Sequence, residues 1–556
     1  MNPKFVCLVL LLLAHTFAAH GQFQYLTNSG TITIARYDCA SDDGVASIPN
    51  TVNGMPVAGI GISAFARCRN LTSVTIPDSV LSIGEAAFNS CSGLTNVLIG
   101  NGVTNIGGGA FGSCIRLANV IIGNRVANLQ STRASEGVFS RCTSLSGIAL
   151  PDSVIELGSG TFSGCTGLTN VVLGNGMTTV GGGAFAGCTS LTNLTIGSSV
   201  TNIGPSLVRN ASRLYSISVS PSNRFFSGLN GVLLNKAQTE LLRFPEGKSG
   251  ADYSIPDSVT KIGSYAFAYA RELAHFALPE TIVEIGEGAF MNSGGLTGIS
   301  IPGKVSMVST YAFSGCSNLT KVSLSPNVTR IGDQAFYGCA SLTNLLIPVG
   351  LTNLGYQAFR SCSSLTRVAL PAGLRTIPFE TFGDCTGLTN LTIPKSVTNI
   401  MYSAFSGCSA LTEVVISTGV KWIEYNAFGD CTNLSRVYFE GDAPNFAESA
   451  FMGDRLAVLY NVPGTHGWDA TWPGLTLHRW TPEPSTGDER FGVRTNRFGF
   501  TVNWASDKVV VIEAATKSVN ATWRPVSTNK LTGGTAYFSD PDWTNYPSRV
   551  YRIRAQ

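Results

Sequence analysis

The amino-acid sequence predicts a β-rich solenoid, a rod of stacked coils, followed by a small antiparallel β-sandwich-like domain. Segments of the form Ala-Phe-x-x-Cys-x-x-Leu-Thr-x-Val-x-Ile-Pro recur along most of the 556 residues, usually 23 residues apart. A fixed period of about 20–50 residues indicates repeats that bury their apolar side by stacking on their neighbours. All seven tryptophans lie at or after Trp422, which indicates a different structure near the C-terminus.

The cysteine of the repeat sets the phase of the coils. It recurs at steps of 23 residues within three groups, namely Cys68, Cys91 and Cys114, then Cys142, Cys165 and Cys188, then Cys316, Cys339, Cys362, Cys385, Cys408 and Cys431. Ala211, Ala270 and Ser293 occupy the same position in other coils, so the position requires a small, buried residue. Side chains stacked in parallel do not favour the torsion angle that a disulfide needs. They also do not converge on one point, as the four ligands of a zinc ion must. We therefore expect these twelve cysteines to be free thiols.

Within a coil, the alternation of side chains along a strand separates the core from the surface. Leu168, Val171 and Leu173 point inward, and Asn170 and Val172 point outward. The recurrent Ile-Pro and Ile-Gly pairs predict corners where the chain turns between faces.

An insertion at residues 220–250 interrupts the period. It contains two β-rich runs around Asn230-Gly231, a strong signal for a two-residue hairpin turn. We expect this hairpin to project from the rod as a lobe that the fold does not need, since long loops are closed at little entropic cost. A shorter insertion lies around Gln130 to Glu136.

The segments Ile76 to Cys91 and Ile393 to Cys408 resemble the BspA-type leucine-rich repeats of bacterial surface and secreted proteins. The resemblance covers about residues 25–480. It implies a leucine-rich repeat solenoid with 23-residue coils and a role in adhesion or partner binding, and the family supplies no catalytic residues to transfer to this chain.

The chain ends predict further segments. Residues 1–21 have one lysine, an apolar run and small residues, as in a secretory signal peptide, which predicts a secreted or cell-surface protein. The predicted divisions are the N-terminal cap at 22–62, the solenoid at 63–436, the C-terminal cap at 437–480, a Pro/Ser/Gly linker at 481–489 and a β-sandwich-like module at 490–556.

Composition and motifs argue against enzymes and nucleic-acid binders. Charged residues make up 13% of the chain, the formal net charge is +3, and no basic run occurs. Gly107-x-Gly109-x-x-Gly112 matches a dinucleotide fingerprint, but it falls at the corner of a repeat and lacks the βαβ context. We therefore expect no catalytic, cofactor-binding or metal-binding residues, no transmembrane segment, and a monomer.

Outward strand positions form the candidate binding face, and charge occurs there only after the insertion. The candidate residues are His275, Lys321, Asn344, Arg367, Asn390, Glu413, Arg436 and Tyr438. The sequence favours a non-enzymatic protein that binds an extracellular protein or surface polymer through this face. Asn and Thr at such positions can instead form side-chain ladders without a partner. The alternative function is glycan binding or surface anchoring through the aromatic C-terminal module, with the solenoid as a spacer. In this alternative Trp468 and Trp472 of the C-terminal cap and Trp543 of the module stack on sugars.

Overall fold

A computed structural model describes residues 18–20, 23–39, 44–129, 137–248, 253–274, 276–468, 475–516, 521–546 and 548–556. The described chain consists mainly of strands and turns, with a 3-10 helix at Trp543–Asn545. It forms two compact units, the first comprising residues 1–305 and 311–316 and the second residues 306–310 and 317–556. The predicted signal peptide lies outside the described residues except for Ala18–His20, a strand antiparallel to Phe23–Asn28.

Most described coils of the first unit contribute one strand to a long-strand face and a two-residue strand to a short-strand face. The long-strand face comprises Val45–Ser47, Ser73–Ile76, Asn96–Ile99, Asn119–Ile121, Asn170–Val172, Asn193–Ile196, Ser216–Val219 and Gly298–Ser300. The short-strand face comprises Ser82–Ile83, Asn105–Ile106, Asn128–Leu129, Glu156–Leu157, Thr179–Val180, Asn202–Ile203, Lys261–Ile262 and Glu284–Ile285. At the N-terminal end, Phe23–Asn28, Thr31–Tyr37, Thr51–Val52 and Met55–Ile60 pair beside the first short strand.

The second unit continues the same pattern. Its long-strand face comprises Lys321–Ser323, Asn344–Leu345, Arg367–Val368, Asn390–Ile393, Glu413–Ile416, Arg436–Phe439, Val458–Asn461 and Thr476–Arg479. Its short-strand face comprises Met307–Val308, Arg330–Ile331, Asn353–Leu354, Thr376–Ile377, Asn399–Ile400, Trp422–Ile423 and Asn445–Phe446. Successive strands pair in parallel and mostly in a 23-residue register, as Asn390 with Glu413 and Glu413 with Arg436 show. The predicted solenoid of 23-residue coils is confirmed.

A column of stacked phenylalanines forms the centre of the coils. Its members in the first unit are Phe65, Phe88, Phe111, Phe139, Phe162, Phe185, Phe244, Phe267, Phe290 and Phe313, and in the second unit Phe336, Phe359, Phe382, Phe405, Phe428 and Phe451. Within each unit the rings of consecutive coils are stacked, with centroids 4.5 Å apart for Phe65 and Phe88 and 5.6 Å for Phe162 and Phe185. Buried Val208 takes the phenylalanine position between Phe185 and Phe244. The rings are desolvated, so they supply a large apolar contribution to stability at every coil.

The cysteine column lies beside this stack and has a hydrogen-bonding role that composition alone did not indicate. The Cys91 thiol donates to the Phe65 carbonyl of the preceding coil at 3.0 Å, and the Cys408 thiol donates to the Phe382 carbonyl at 3.2 Å. The Ser293 hydroxyl makes the equivalent bond to Phe267 at 2.6 Å. The position therefore favours a small side chain with a donor, for which a thiol is well suited.

The expectation of twelve free cysteines is wrong by one. Cys39 and Cys68 form a disulfide, with their Cα atoms 5.3 Å apart. Cys39 lies outside the repeats, so the argument from parallel side chains does not apply to this pair. The remaining repeat cysteines, eleven in all, are buried free thiols.

Intact-mass analysis tests this arrangement. Denaturing alkylation without reductant should modify eleven thiols in a chain that begins after Cys7, and thirteen after reduction. In the folded protein alkylation should be slow, because burial raises the pKa of Cys165 and Cys362 to about 12 and the reactive thiolate is scarce. Fewer than eleven modified thiols in the unreduced, denatured chain would show that column cysteines pair with one another.

The insertion at 220–250 forms the predicted hairpin, Phe226–Leu229 with Val232–Asn235, but it does not project as a lobe. Val232, Leu233 and Leu234 are at most 1% exposed, and Leu233 belongs to the core cluster of the coils. These apolar side chains would lie in water on a projecting hairpin, so they fold back onto the solenoid. The amide of Ile217 donates to the carbonyl of Gly231 at 2.8 Å, which joins the hairpin to the neighbouring coil.

After the hairpin, the chain returns to the repeat earlier than the sequence indicated. The strand Glu240–Arg243 pairs in parallel with Lys261–Ile262, and Phe244 stacks on Phe267 at 5.1 Å. Buried Arg243 forms an ion pair with Glu246 at 2.6 Å, which compensates both charges. The irregular stretch is therefore a 36-residue coil, from Val208 to Phe244, followed by an ordinary one.

The last position of the cysteine column holds an acid. Asp454 follows Cys431 by 23 residues, is 5% exposed, and has no hydrogen-bond partner for either carboxyl oxygen among the described residues. Burial raises the pKa of Asp454 to about 8, and the nearby carboxylate of Asp430 adds to the rise. The charged form is therefore disfavoured in the folded chain.

This acid predicts a loss of stability with rising pH. Because the folded pKa lies above the unfolded value of 3.8, the stabilising contribution is complete below about pH 4 and is lost as the pH rises through about 8. Asp454→Asn should raise the free energy of unfolding at pH 8 by about 1–3 kcal/mol and leave it nearly unchanged at pH 4. Urea denaturation at both pH values, followed by tryptophan fluorescence, measures the difference; an equal gain at both would exclude titration of Asp454 as the cause.

The C-terminal residues form two antiparallel sheets around their own core. One sheet contains Glu483–Ser485, Gly492–Arg494, Arg497–Asn503 and Thr535–Asp540, and the other contains Val509–Ala515, Arg524–Lys530 and Val550–Ala555. Phe500, Val502, Ile512 and Phe538 are buried between them. The predicted β-sandwich-like architecture is confirmed. The strand Glu483–Ser485 pairs with Arg497–Asn503 and forms an edge of the first sheet. This strand lies in the stretch 481–489, which was expected to be a linker.

Candidate binding face and aromatic cleft

The described residues of the candidate binding face lie on the long-strand face of the second unit. Lys321, Asn344 and Arg367 begin successive strands and are paired in register. All three side chains are exposed. Neighbouring strands are about 4.8 Å apart, so the Lys321 and Arg367 positions are separated by about 10 Å. No carboxylate of the described residues lies within ion-pair distance of either cation.

Three further face residues, Asn390, Glu413 and Arg436, also begin strands that are paired in register. The Arg436 guanidinium binds the Glu413 carboxylate at 3.2 Å, so its charge is compensated on the surface. Arg436 therefore does not form a third free cation with Lys321 and Arg367. Of the two remaining face residues, Tyr438 is half-buried in the strand Arg436–Phe439, and His275 lies outside the described residues.

In the first unit, several outward polar residues bind each other along the stack. The Asn119 amide donates to the Asn96 side chain at 2.9 Å, and Thr195 and Ser218 are hydrogen-bonded at 2.9 Å. These pairs are 23 residues apart and form the side-chain ladders that the sequence allowed as an alternative to binding. The hydrogen bonds between stacked coils therefore explain why these outward positions are polar.

An aromatic cleft opens at the C-terminal end of the face in the second unit. It has a volume of about 730 Å³ and lies between the last long strands and the C-terminal sheets. Tyr438 and Tyr460 pair in register with ring centroids 4.9 Å apart, and Trp480 lies 4.6 Å from Tyr438. Burial and the Glu413 carboxylate raise the pKa of Tyr438 to about 12, so its hydroxyl remains a hydrogen-bond donor at neutral pH.

Charged residues of both signs surround these rings, namely Glu413, Arg436, Glu440, Arg479 and Glu483. Buried Glu440 accepts a hydrogen bond from the Ser506 amide at 2.8 Å, which joins the coil to the module. The Trp504 indole donates to the Trp480 carbonyl at 2.8 Å and fixes the other side of the cleft. Sequence reasoning missed Tyr460 and Trp480, because Tyr460 lies 22 residues after Tyr438 and so falls outside the 23-residue phase.

Trp468 and Trp543, two of the tryptophans considered for sugar stacking, do not line the aromatic cleft. Trp468 is 8% exposed and packs edge-on against Phe439 at 4.9 Å, as a core residue of the last coils. Trp543 is half-buried, and its indole donates to the Asn496 carbonyl at 3.0 Å. Trp472 lies outside the described residues.

The described residues also bear on the glycine motif, on metal-binding groups and on membrane-spanning helices. Gly109 has a φ of 63°, at a corner position where Ala86 and Gln334 also adopt positive φ, so the glycine motif is part of the repeat. The described residues contain no group of three or more His, Cys, Asp or Glu side chains able to hold a metal ion. They also include no helix with the length and hydropathy needed to cross a membrane.

The repeats match the family described as BspA type leucine-rich repeat region over residues 58–133, 132–229, 244–366 and 352–462. A leucine-rich cell surface protein from Faecalibacterium prausnitzii is 25% identical, with 77% of this chain and 95% of that protein covered and a TM-score of 0.44. A leucine-rich repeat protein from Bacteroides ovatus is 26% identical, with 72% and 95% covered and a TM-score of 0.48. A search of curated proteins finds no match. Because the repeat matches span most of the coils described above, the chain belongs to the BspA-type leucine-rich repeat family.

Proposed function

We propose that this is a non-enzymatic, exported binding or adhesion protein, and that the candidate binding face contacts an extracellular protein or surface polymer. The observation that carries the proposal is the exposed row Lys321, Asn344 and Arg367, in which both cations lack a carboxylate partner among the described residues. Membership of the BspA-type family supports a surface role. The predicted signal peptide supports export.

The chemistry of the row favours an acidic protein patch or an anionic polymer. Leu346, two residues after Asn344, is 82% exposed on the same face and offers apolar contact beside the cations. Exposed cations mainly accelerate association and are screened by salt. Polar ladders alone would not require unpaired cations at these positions.

Removing the two cations tests the proposal. The chain lacking residues 1–21 is immobilised, and material from its native extracellular environment is captured and eluted along a salt gradient. Lys321→Ser with Arg367→Ser should lower capture about tenfold at low salt and less at high salt. Arg436→Ser should have a smaller effect, since its charge is already paired with Glu413.

A matched control removes two exposed cations, Arg330 on the short-strand face and Lys421, which directly precedes the short strand Trp422–Ile423. Arg330→Ser with Lys421→Ser changes the net charge equally and should leave capture unchanged. If capture survives loss of Lys321 and Arg367 but disappears on deletion of residues 482–556, the solenoid is a spacer and the C-terminal module is the binding part.

A further inference from the structure

We infer that the aromatic cleft is a binding site for a neutral saccharide, such as the end of an uncharged glycan chain. This inference rests on the proposed function, because Glu413, Arg436 and Tyr438 belong to the candidate binding face. It assigns a ligand class to that end of the face. The cleft volume of about 730 Å³ falls in the range of about 300–1,000 Å³ that is typical of small-molecule sites.

The aromatic rings provide the apolar part of the site. Tyr438, Tyr460 and Trp480 lie within 5 Å of their ring neighbours, and each ring remains half-buried, which leaves part of it accessible from the cleft. A pyranose presents a face of C–H groups that packs on aromatic rings. Trp480 is also anchored, since its carbonyl accepts the Trp504 indole hydrogen bond. A platform held in this way loses little entropy on binding.

The polar groups provide the hydroxyl-recognising part. Three carboxylates and two guanidiniums line the same cleft, and all five are planar groups that form paired hydrogen bonds. The Ser506 amide fixes the Glu440 carboxylate, and Arg436 and Glu413 fix each other, so these groups are oriented before a ligand arrives. Arg479 has no carboxylate within ion-pair distance among the described residues.

The balance of charge favours a neutral ligand. The three acids Glu413, Glu440 and Glu483 would repel an anionic ligand, and Arg436 and Arg479 would repel a cationic one. A ligand with one apolar face and many hydroxyls satisfies both the rings and the planar polar groups. Protein docking is less well supported, because the rings lie in a concave cleft, whereas the interface of a stable protein complex extends over ~800 Å² of each partner.

A glycan array with neutral and anionic members, probed with the folded chain, tests the inference. We expect binding to neutral glycans. Tyr438→Ala and Arg479→Ser should each weaken that binding about tenfold, since each removes one aromatic or charge-assisted contact. Tyr425→Ala is the matched control, because Tyr425 is 62% exposed and lies outside the cleft; it should leave binding unchanged. Thermal unfolding of every variant verifies that it folds.

The outcomes separate this inference from the proposed function. Neutral-glycan binding that persists in Lys321→Ser with Arg367→Ser, and is weakened by the cleft variants, supports the cleft even if protein capture fails. Equal binding by Tyr438→Ala and Tyr425→Ala overturns the cleft assignment. Binding of anionic glycans alone, lost with Lys321 and Arg367, overturns the ligand class and supports the face. The absence of any glycan binding by the folded chain also overturns the inference.

Discussion

Leu233→Asp is expected to abolish cooperative folding of the first unit. The side chain is 1% exposed and lies in the core cluster that extends through the coils. Replacement removes a buried leucine, which costs about 2–5 kcal/mol, and buries a carboxylate without a partner, which costs several more. The sum is comparable with the ~5–15 kcal/mol by which typical domains are stable. Urea denaturation followed by far-UV circular dichroism should show a large loss of the transition.

The matched control for Leu233 lies on the same hairpin segment. Phe225 is 51% exposed, so Phe225→Asp should change the free energy of unfolding by less than about 0.5 kcal/mol. Deletion of residues 224–236 restores a 23-residue step between Val208 and Phe244, yet it should also impair folding, because it removes the buried hairpin strand. A deletion variant that melts as cooperatively as the parent would show that the hairpin is dispensable after all.

Phe359→Ala is expected to destabilise the second unit by about 3–5 kcal/mol. Phe359 is fully buried and stacks between Phe336 at 5.3 Å and Phe382 at 5.4 Å. In a solenoid each coil contacts only its neighbours, so a cavity in one coil also removes contacts from the two adjacent coils. All tryptophans lie at or after Trp422, so the urea dependence of tryptophan fluorescence reports on this unit alone.

Tyr425→Ala provides the comparison for Phe359. It removes an aromatic ring of similar size from the surface of the same unit and should change stability by less than about 0.5 kcal/mol. If both substitutions shift the urea midpoint equally, the phenylalanine column is not the source of the stability of the coils.

Periodicity explains why the sequence predicted so much of this fold. In stacked coils, residues 23 apart are spatial neighbours, so residues that repeat at this period in the sequence form a column in space, as the hydrogen bond between Asn119 and Asn96 shows. The corners, the inward leucines and the outward position of Lys321 and Arg367 follow from the same rule. Alternation along the strand assigns each side chain to one face.

The candidate site was only partly predictable, because its decisive contacts are not periodic. Lys321, Asn344 and Arg367 lie in a row as the period implies. Tyr460 and Trp480 join Tyr438 only through the last coil and the strands that follow it, where the step is no longer 23 residues. The pairing of sheets in that region depends on long-range contacts that local patterns do not encode.

The sequence by itself determined the solenoid, its 23-residue coils, the buried columns and the family, since each repeats the same local information many times. Only the tertiary structure decided what happens where the period breaks. In the tertiary structure the hairpin packs on the core, Cys39 pairs with Cys68, and the last long strands and the C-terminal sheets line the aromatic cleft. At each of these places a segment without a repeat buries its apolar or reactive side chains against whichever surface lies within reach, and that surface is set by distant residues.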